Sequence, residues 1–362
     1  MDYTVESAAN ALQNKATLCT GELYLALGGC LLRLRSNSSE LLAGLGDYFS
    51  HVTGEAGTPD VDIIAIERDA PELGIDFIDW KREPGKTGRK DSYVDLPDGR
   101  LVRKVRTGMV FLQSEDHVIA AGPCRQYDNQ VINFINSQYM NWLQNRDWLI
   151  CHAAGLVYHG KCLGLAGFSG GGKSTLMLHL LDNDETAYLT NDRLFMQAAS
   201  GRIMARGIPK LPRINPGTIV HNPRLHSLIP AAQREALLQL PAGELWELEE
   251  KYDVHIDRVY GPGRIVAEAP LAAFLILDWQ RDSDQPLTVE QVDLAAHREL
   301  LGALMKSPGP FYQYPDGSFL QDTAGFDEAA YLQALENVAV YVARGRVDFS
   351  ALSDRCLSDL LA

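Results

Sequence analysis

Residues Gly167 to Thr175 read GFSGGGKST and satisfy the pattern G-x-x-x-x-G-K-[ST] in full. A run of this kind is suited to holding a polyphosphate. Gly170, Gly171 and Gly172 leave the backbone free to adopt conformations that strain a residue with a side chain, so successive N–H groups can converge on a phosphate. Lys173 can reach the β and γ oxygens of a nucleoside triphosphate, and the Ser174 hydroxyl can coordinate Mg2+. A helix beginning near Lys173 adds the positive end of its dipole. Gly167, Ser169 and Thr175 complete the loop, and ATP with Mg2+ is the ligand pair it implies. The bland alternative is a glycine turn that happens to contain Lys-Ser. The context speaks against it, because the apolar run Cys162 to Ala166 leads in and the helical run LMLHLLD leads out.

A second set of polar residues follows a short predicted strand, Ala187 to Thr190, whose end presents Asn191 and Asp192. Strand ends are where a nucleotide-binding α/β sheet gathers its polar side chains. A carboxylate there can hold Mg2+, or it can accept the proton of an attacking hydroxyl as a phosphoryl group moves across. Farther on, RGIPKLPRINPG is rich in Pro and Gly and carries Arg206, Lys210 and Arg213. That composition suits a rigid loop aimed at a phosphate, with a plain surface loop as the alternative. Arg213 is the candidate for stabilising charge on a transferring phosphoryl group.

Other nucleotide-binding classes fit less well. No LSGGQ-like signature occurs, no apolar strand ends in Asp-Glu, and NKxD is absent. The sequence Asp322-Thr323-Ala324-Gly325 matches DxxG but lies far downstream of the loop and is read as a turn.

The elements that must position these residues can be read from periodicity. With 362 residues and 46% hydrophobic content, the chain has material for two domains. Strands are expected over Leu23 to Leu34 and Val61 to Ile66, with a helix over Leu41 to Phe49 between them. The basic stretch Lys81 to Lys90 reads as an exposed loop. Tyr93 to Leu96 and Leu101 to Leu112 flank a Pro97-Asp98-Gly99 hairpin turn. Asn129 to Gln144 repeats apolar residues at spacings of three and four, which predicts a helix with one apolar face. A domain boundary is expected near Tyr127, and from Leu149 to Tyr158 the pattern becomes that of a buried strand. The net charge of -14 argues against generic nucleic-acid or anionic-membrane binding. The six cysteines show neither a disulfide framework nor zinc spacing. There is no leader-like start and no apolar run of membrane-spanning length, which predicts a cytoplasmic location.

The separated motifs together resemble the HPr kinase/phosphorylase family, in particular its HprK-related kinase B branch. The resemblance rests on Cys151-His152-Ala153-Ala154-Gly155 before the loop, on GFSGGGKS itself, and on Leu189-Thr190-Asn191-Asp192-Arg193. GPCRQYDNQVINFINSQYMNWL, RGIPKLPRINPGT and LWELEEKYDV are similar to the related-kinase branch, so the likeness covers Gly122 to Gly261. It implies an α/β fold: a P-loop kinase domain of the HPr kinase/PEP-carboxykinase-like type over residues 127–362, with a mixed sheet and flanking helices, preceded by an N-terminal α+β module over 1–126. It implies a general-base role for Asp192, and metal contacts from Ser174, Asn191, Asp192 and one acid of LWELEEKYDV. Among Glu247, Glu249 and Glu250 the alignment favours Glu249, and acids on a solvated helix face are the alternative. His152 can orient Asp192 or the acceptor hydroxyl, or be a satisfied core histidine. The family's paired Asp is here Asn191 plus Asp192; an amide can bind a metal but cannot take a proton. The activity implied is phosphoryl transfer from ATP to a protein serine or a small hydroxyl metabolite, in a homo-oligomer. An ATP-binding regulatory module, or an ATPase without phosphotransfer, is the alternative.

Overall fold

The computed structural model describes residues 3–82, 87–168, 171–248, 250–280 and 283–361, and of Glu247 only the backbone. The chain divides into two compact units, Met1–Asp147 with Ser307–Gly325, and Trp148–Lys306 with Phe326–Ala362.

The first unit carries an eight-stranded mixed sheet in the order β1-β2-β3-β8-β7-β6-β5-β4. Its strands are β1 (Leu23–Leu27), β2 (Cys30–Ser36), β3 (Val61–Glu67), β4 (Ile78–Asp79), β5 (Asp91–Leu96), β6 (Gly99–Lys104), β7 (Val110–Ser114) and β8 (Val118–Gly122). Helix α1 (Val5–Gln13) is started by a Thr4 capping box, and α2 is Ser39–Tyr48. The run Leu23 to Leu34, expected as one strand, is a hairpin. Gly28 and Gly29 turn the chain at φ of 56° and 94°, where a side chain would be strained. Leu101 to Leu112 is likewise divided into β6 and β7, while Leu96 pairs with Gly99 around the Pro97-Asp98 turn. The residues described within Lys81 to Lys90 form no helix or strand.

Helix α3 (Asp128–Gln144) carries the boundary beyond Tyr127. Its buried Phe134 ring lies 4.9 Å from Phe111 of β7 and 5.1 Å from Phe311, and its Asn141 amide donates to the Phe311 carbonyl at 2.7 Å. The apolar face that predicted the helix therefore belongs to the first unit's core. That core extends the compact unit to Asp147 and draws in Ser307–Gly325.

The second unit is built on β9 (Leu149–Cys151), β10 (Ala153–Tyr158), β11 (Lys161–Gly167), β12 (Thr186–Thr190), β13 (Leu194–Ala199), β14 (Arg202–Arg206), β15 (Arg213–Ile214), β16 (Tyr252–Asp253), β17 (Glu268–Leu277), β18 (Thr288–Gln291) and β19 (Ala339–Arg344). The main sheet runs β12-β10-β11-β17-β14-β13-β9, β19 also pairs with β17 and β18, and β15 pairs with β16 apart from it. Pairings of β11 with β17 and of β17 with β19 are parallel, and the others are antiparallel.

Both faces of this sheet are covered, and residue alternation assigns each side chain. Leu163, Leu165, Leu275 and Leu277 face one core with Leu176, Met177, Leu180 and Leu181 of helix α4 (Lys173–Leu181). Ala166, Phe274 and Ile276 face a second core with Leu300, Leu301, Tyr331 and Leu335. The expected strand Leu149 to Tyr158 is broken at His152, whose N–H donates to the Leu304 carbonyl at 2.7 Å. Before it, β9 pairs with β13; after it, β10 pairs with β11 and β12. His159 and Gly160, with φ of 47° and 76°, close the tight β10–β11 hairpin. The molecule is thus mixed α/β, with large mixed sheets and flanking helices. No helix among the described residues is long and apolar enough to cross a membrane.

Candidate functional site

The glycine-rich loop leaves the C-terminal end of β11 at Gly167 and enters α4 at Lys173. Ser169 and Gly170 lie outside the described residues. Gly171 donates its N–H to the Phe168 carbonyl at 3.0 Å, and its own carbonyl accepts from the Trp279 indole at 2.8 Å. Gly172 is the N-cap of α4 at φ 84°. A Cβ there would lie 2.9 Å from Cζ of Phe349, so conformation and space both require glycine. Among the described residues no side chain caps this helix end, and the first intrahelical bond is Leu176 N–H to the Gly172 carbonyl. The amides of Lys173, Ser174 and Thr175 precede that bond and, by helix geometry, have no carbonyl one turn back. The positive end of the dipole falls on the same spot.

Lys173 Nζ donates to the Gly167 carbonyl at 3.0 Å. Burial lowers its pKa, the charge of Asp192 opposes that, and the charge of Lys306 adds to it. The Thr175 hydroxyl meets that of Thr218 at 2.9 Å, tying α4 to helix α5 (Pro216–Val220).

Asp192 follows β12, where the Thr190 hydroxyl donates to the Arg193 carbonyl at 2.8 Å and fixes the turn. One carboxylate oxygen faces His152 Nε2 at 3.3 Å and the other Arg193 Nε at 3.1 Å. Burial works to raise the Asp192 pKa. The charge of Arg193, the hydrogen bond from His152 and the charges of His152 and Lys210 outweigh it and hold the carboxyl well below the usual carboxylate range. For His152 the contact with Asp192 favours the imidazolium, but burial and the charges of Lys173 and Lys306 win and its pKa falls. A neutral imidazole carries one N–H, and the ionised Asp192 assigns it to Nε2.

The loop and Asp192 line one cavity of about 640 Å³. Gly171, Gly172, Lys173, Ser174, Thr175, Asn191, Asp192, Lys210 and Arg213 are among its lining residues, and His152 is not. On its lining residues Asn191 and Asn215, each Oδ1 is buried without a hydrogen-bond partner among the described residues, as expected where a polar ligand completes the set. Among the described residues no group of three or more His, Cys, Asp or Glu gathers as a metal cluster. The hard oxygens of Ser174, Asn191 and Asp192 suit Mg2+, which takes one or two protein ligands beside phosphates and water.

The other sequence candidates divide between the cavity and the surrounding fold. Arg213 lines the cavity with Nε 3.1 Å from Asp253, so part of its charge is engaged across the β15–β16 pair. Arg206 pairs with Glu268 and stacks on Trp148 at 4.5 Å, which gives it a structural role. Glu249, and the Glu247 side chain, lie outside the described residues, and Glu250 accepts from the Tyr252 hydroxyl. Lys306, Trp279 and Phe349 lie in no motif that the sequence offers. Trp279 could have been noticed, because it follows the apolar run that becomes β17, the parallel neighbour of β11. Asp278 ends the same run but pairs with Arg344 at 3.2 Å and does not line the cavity.

No protein-family model matches the chain, and no curated protein matches it. A solved structure, the Hpr(Ser) kinase/phosphatase from Coxiella burnetii, is similar at 10% identity over 57% of this chain and 86% of that chain, with a TM-score of 0.28. A likeness this slight carries no argument about fold or activity.

Proposed function

We propose that this chain is a kinase that transfers the γ-phosphoryl group of Mg-ATP to a hydroxyl acceptor. The observation that carries the reading is the shared cavity. The loop of Lys173 and the carboxylate of Asp192 stand at opposite ends of the α4–β12 segment, yet line one space closely enough that the Asp192 charge acts on the Lys173 ammonium.

In this reading the amides of Gly172 to Thr175 and the Lys173 ammonium hold the triphosphate. Ser174, Asn191 and Asp192 supply oxygens for Mg2+, which when bound would offset charge on the β and γ oxygens. Asp192 accepts the acceptor's hydroxyl proton, and His152 holds its carboxylate in place through Nε2–H. The new bond joins the acceptor oxygen to the γ phosphorus as the β–γ bridging bond breaks, leaving a nucleoside diphosphate. A carboxylate of low basicity is adequate here, because in a loose transition state the proton leaves late and positioning matters most. Arg213 is the cation nearest in role to an arginine finger. Asn191 supplies no second carboxylate, which disfavours the reverse reaction and keeps an ATP-binding regulatory module as the alternative reading.

The test is incubation of the purified chain with γ-labelled ATP, Mg2+ and cell extract, followed by separation of protein from small molecules. Label is expected in an acceptor in one of the two fractions. Label recovered only as ATP or free phosphate would contradict phosphotransfer.

A further inference from the structure

Beyond Asp192 the cavity continues into a set of charges that the glycine-rich loop does not need. Besides Lys173, the cations Lys210, Arg213 and Lys251 line it, against one lining carboxylate, Asp192, among the described residues. In a chain of net charge -14, such a concentration of cations runs against the average.

Lys210 is the informative member. Arg213 is engaged with Asp253, whereas among the described residues Lys210 Nζ forms no ion pair. Its backbone is clamped on both sides: its N–H donates to the Ile208 carbonyl at 2.7 Å, and its carbonyl accepts from the Tyr188 hydroxyl at 2.6 Å. Pro209 and Pro212 stiffen the loop around it. Gly207 seats that loop against the end of β12, since a Cβ there would fall 2.0 Å from the Leu189 carbonyl oxygen. Burial lowers the Lys210 pKa, with the charges of Asp192 and Asp253 opposing and those of Arg193 and Arg213 adding to the fall. A half-buried ammonium held in this way is costly unless an anion meets it. The cavity volume of about 640 Å³ is of the size that encloses small ligands.

Resting on the kinase reading above, we propose that the acceptor is a small hydroxylated anion, whose phosphate or carboxylate is held by Lys210 while its hydroxyl meets Asp192. The charged group then sets which hydroxyl is presented to the carboxylate, and uncharged alcohols are rejected because they leave the Lys210 ammonium unmatched.

Calorimetric titration of the full chain, saturated with Mg2+ and a non-hydrolysable ATP analogue, tests this with glycerol 3-phosphate, glycerate and glycerol as probes. At least one anionic probe is expected to bind about tenfold or more tighter than glycerol. Lys210→Met should remove that preference and Lys210→Arg should restore it, with the analogue's own affinity within about threefold of the parent's in both. Which anion binds better distinguishes a phosphorylated from a carboxylated acceptor. Equal binding of all three probes, binding of none, or an unchanged preference in folded Lys210→Met would overturn the proposal while leaving the kinase reading standing. Failure of the analogue to bind the parent chain would overturn both.

Discussion

Asp192→Asn should reduce phosphoryl transfer by about 10²–10⁴-fold, the range expected when a positioned proton acceptor is removed, and should leave nucleotide bound. The substitution keeps the shape of the side chain, so the contact with His152 at 3.3 Å and the turn held by Thr190 should survive. What changes is charge and basicity. An amide cannot take the hydroxyl proton, and the negative charge next to the triphosphate disappears. Losing that charge reduces repulsion of the phosphates, whereas losing a metal oxygen weakens Mg2+, so the two effects on nucleotide affinity oppose each other. The expected signature is therefore a fall in turnover with an affinity shift of no more than about tenfold, the size of one charged contact. Nucleotide titration beside a single-turnover transfer assay measures both. Undiminished transfer would assign Asp192 to the fold and not to the chemistry.

Arg264→Met should destabilise the second unit by about 3 kcal/mol, the order expected when buried carbonyls lose a charged donor. Arg264 is 9% exposed. Its guanidinium donates to the carbonyls of Leu181 and Asn183 at 2.8 Å, of Thr186 at 2.6 Å and of Tyr260 at 3.3 Å. The first of these close the C-terminal end of α4 and the last residues lead into β12, so one cation satisfies carbonyls at the negative end of a helix dipole. Its contact with Asp184, at 3.5 Å from a carboxylate that is 80% exposed, adds little. Methionine would fill much of the volume and remove these donors, although the Asn183 carbonyl would keep the Thr186 N–H and hydroxyl. Because the chain has two compact units, a single unfolding midpoint is a poor readout, and amide hydrogen exchange is better. Amides of α4 and β12 should exchange faster in the variant, and with them the two elements that carry Lys173 and Asp192. Unchanged protection there would show that water replaces the guanidinium without loss.

How much of this was legible in the sequence depended on whether the signal was local. The loop–helix junction, the Pro97-Asp98 turn and the α3 stripe each depend on residues adjacent in the chain, and each appears close to where periodicity and turn chemistry put it. The glycines at 28 and 29 carried a turn signal that a continuous apolar run obscured. Contacts between distant positions were not legible. Phe349 crowds Gly172 and Trp279 holds the Gly171 carbonyl, but neither residue lies in a motif. Of the three cations in RGIPKLPRINPG, composition could not say that Arg206 would turn to Glu268 and Trp148 while Lys210 lines the cavity. That sorting follows from strand alternation and from the seat of Gly207 against Leu189, both set by tertiary structure. His152 was recognisable as a candidate, and its approach to Asp192 required the break between β9 and β10.

The central claim is that the amides after Gly171 and the ammonium of Lys173 hold a triphosphate. Calorimetric titration of Mg-ATP into the parent chain and into folded Lys173→Ala tests it most directly. Saturable binding by the parent and a loss of about tenfold or more in the variant, the size of a charge-assisted contact, is the predicted result. Equal affinity in the two proteins, or no binding in either, would contradict it.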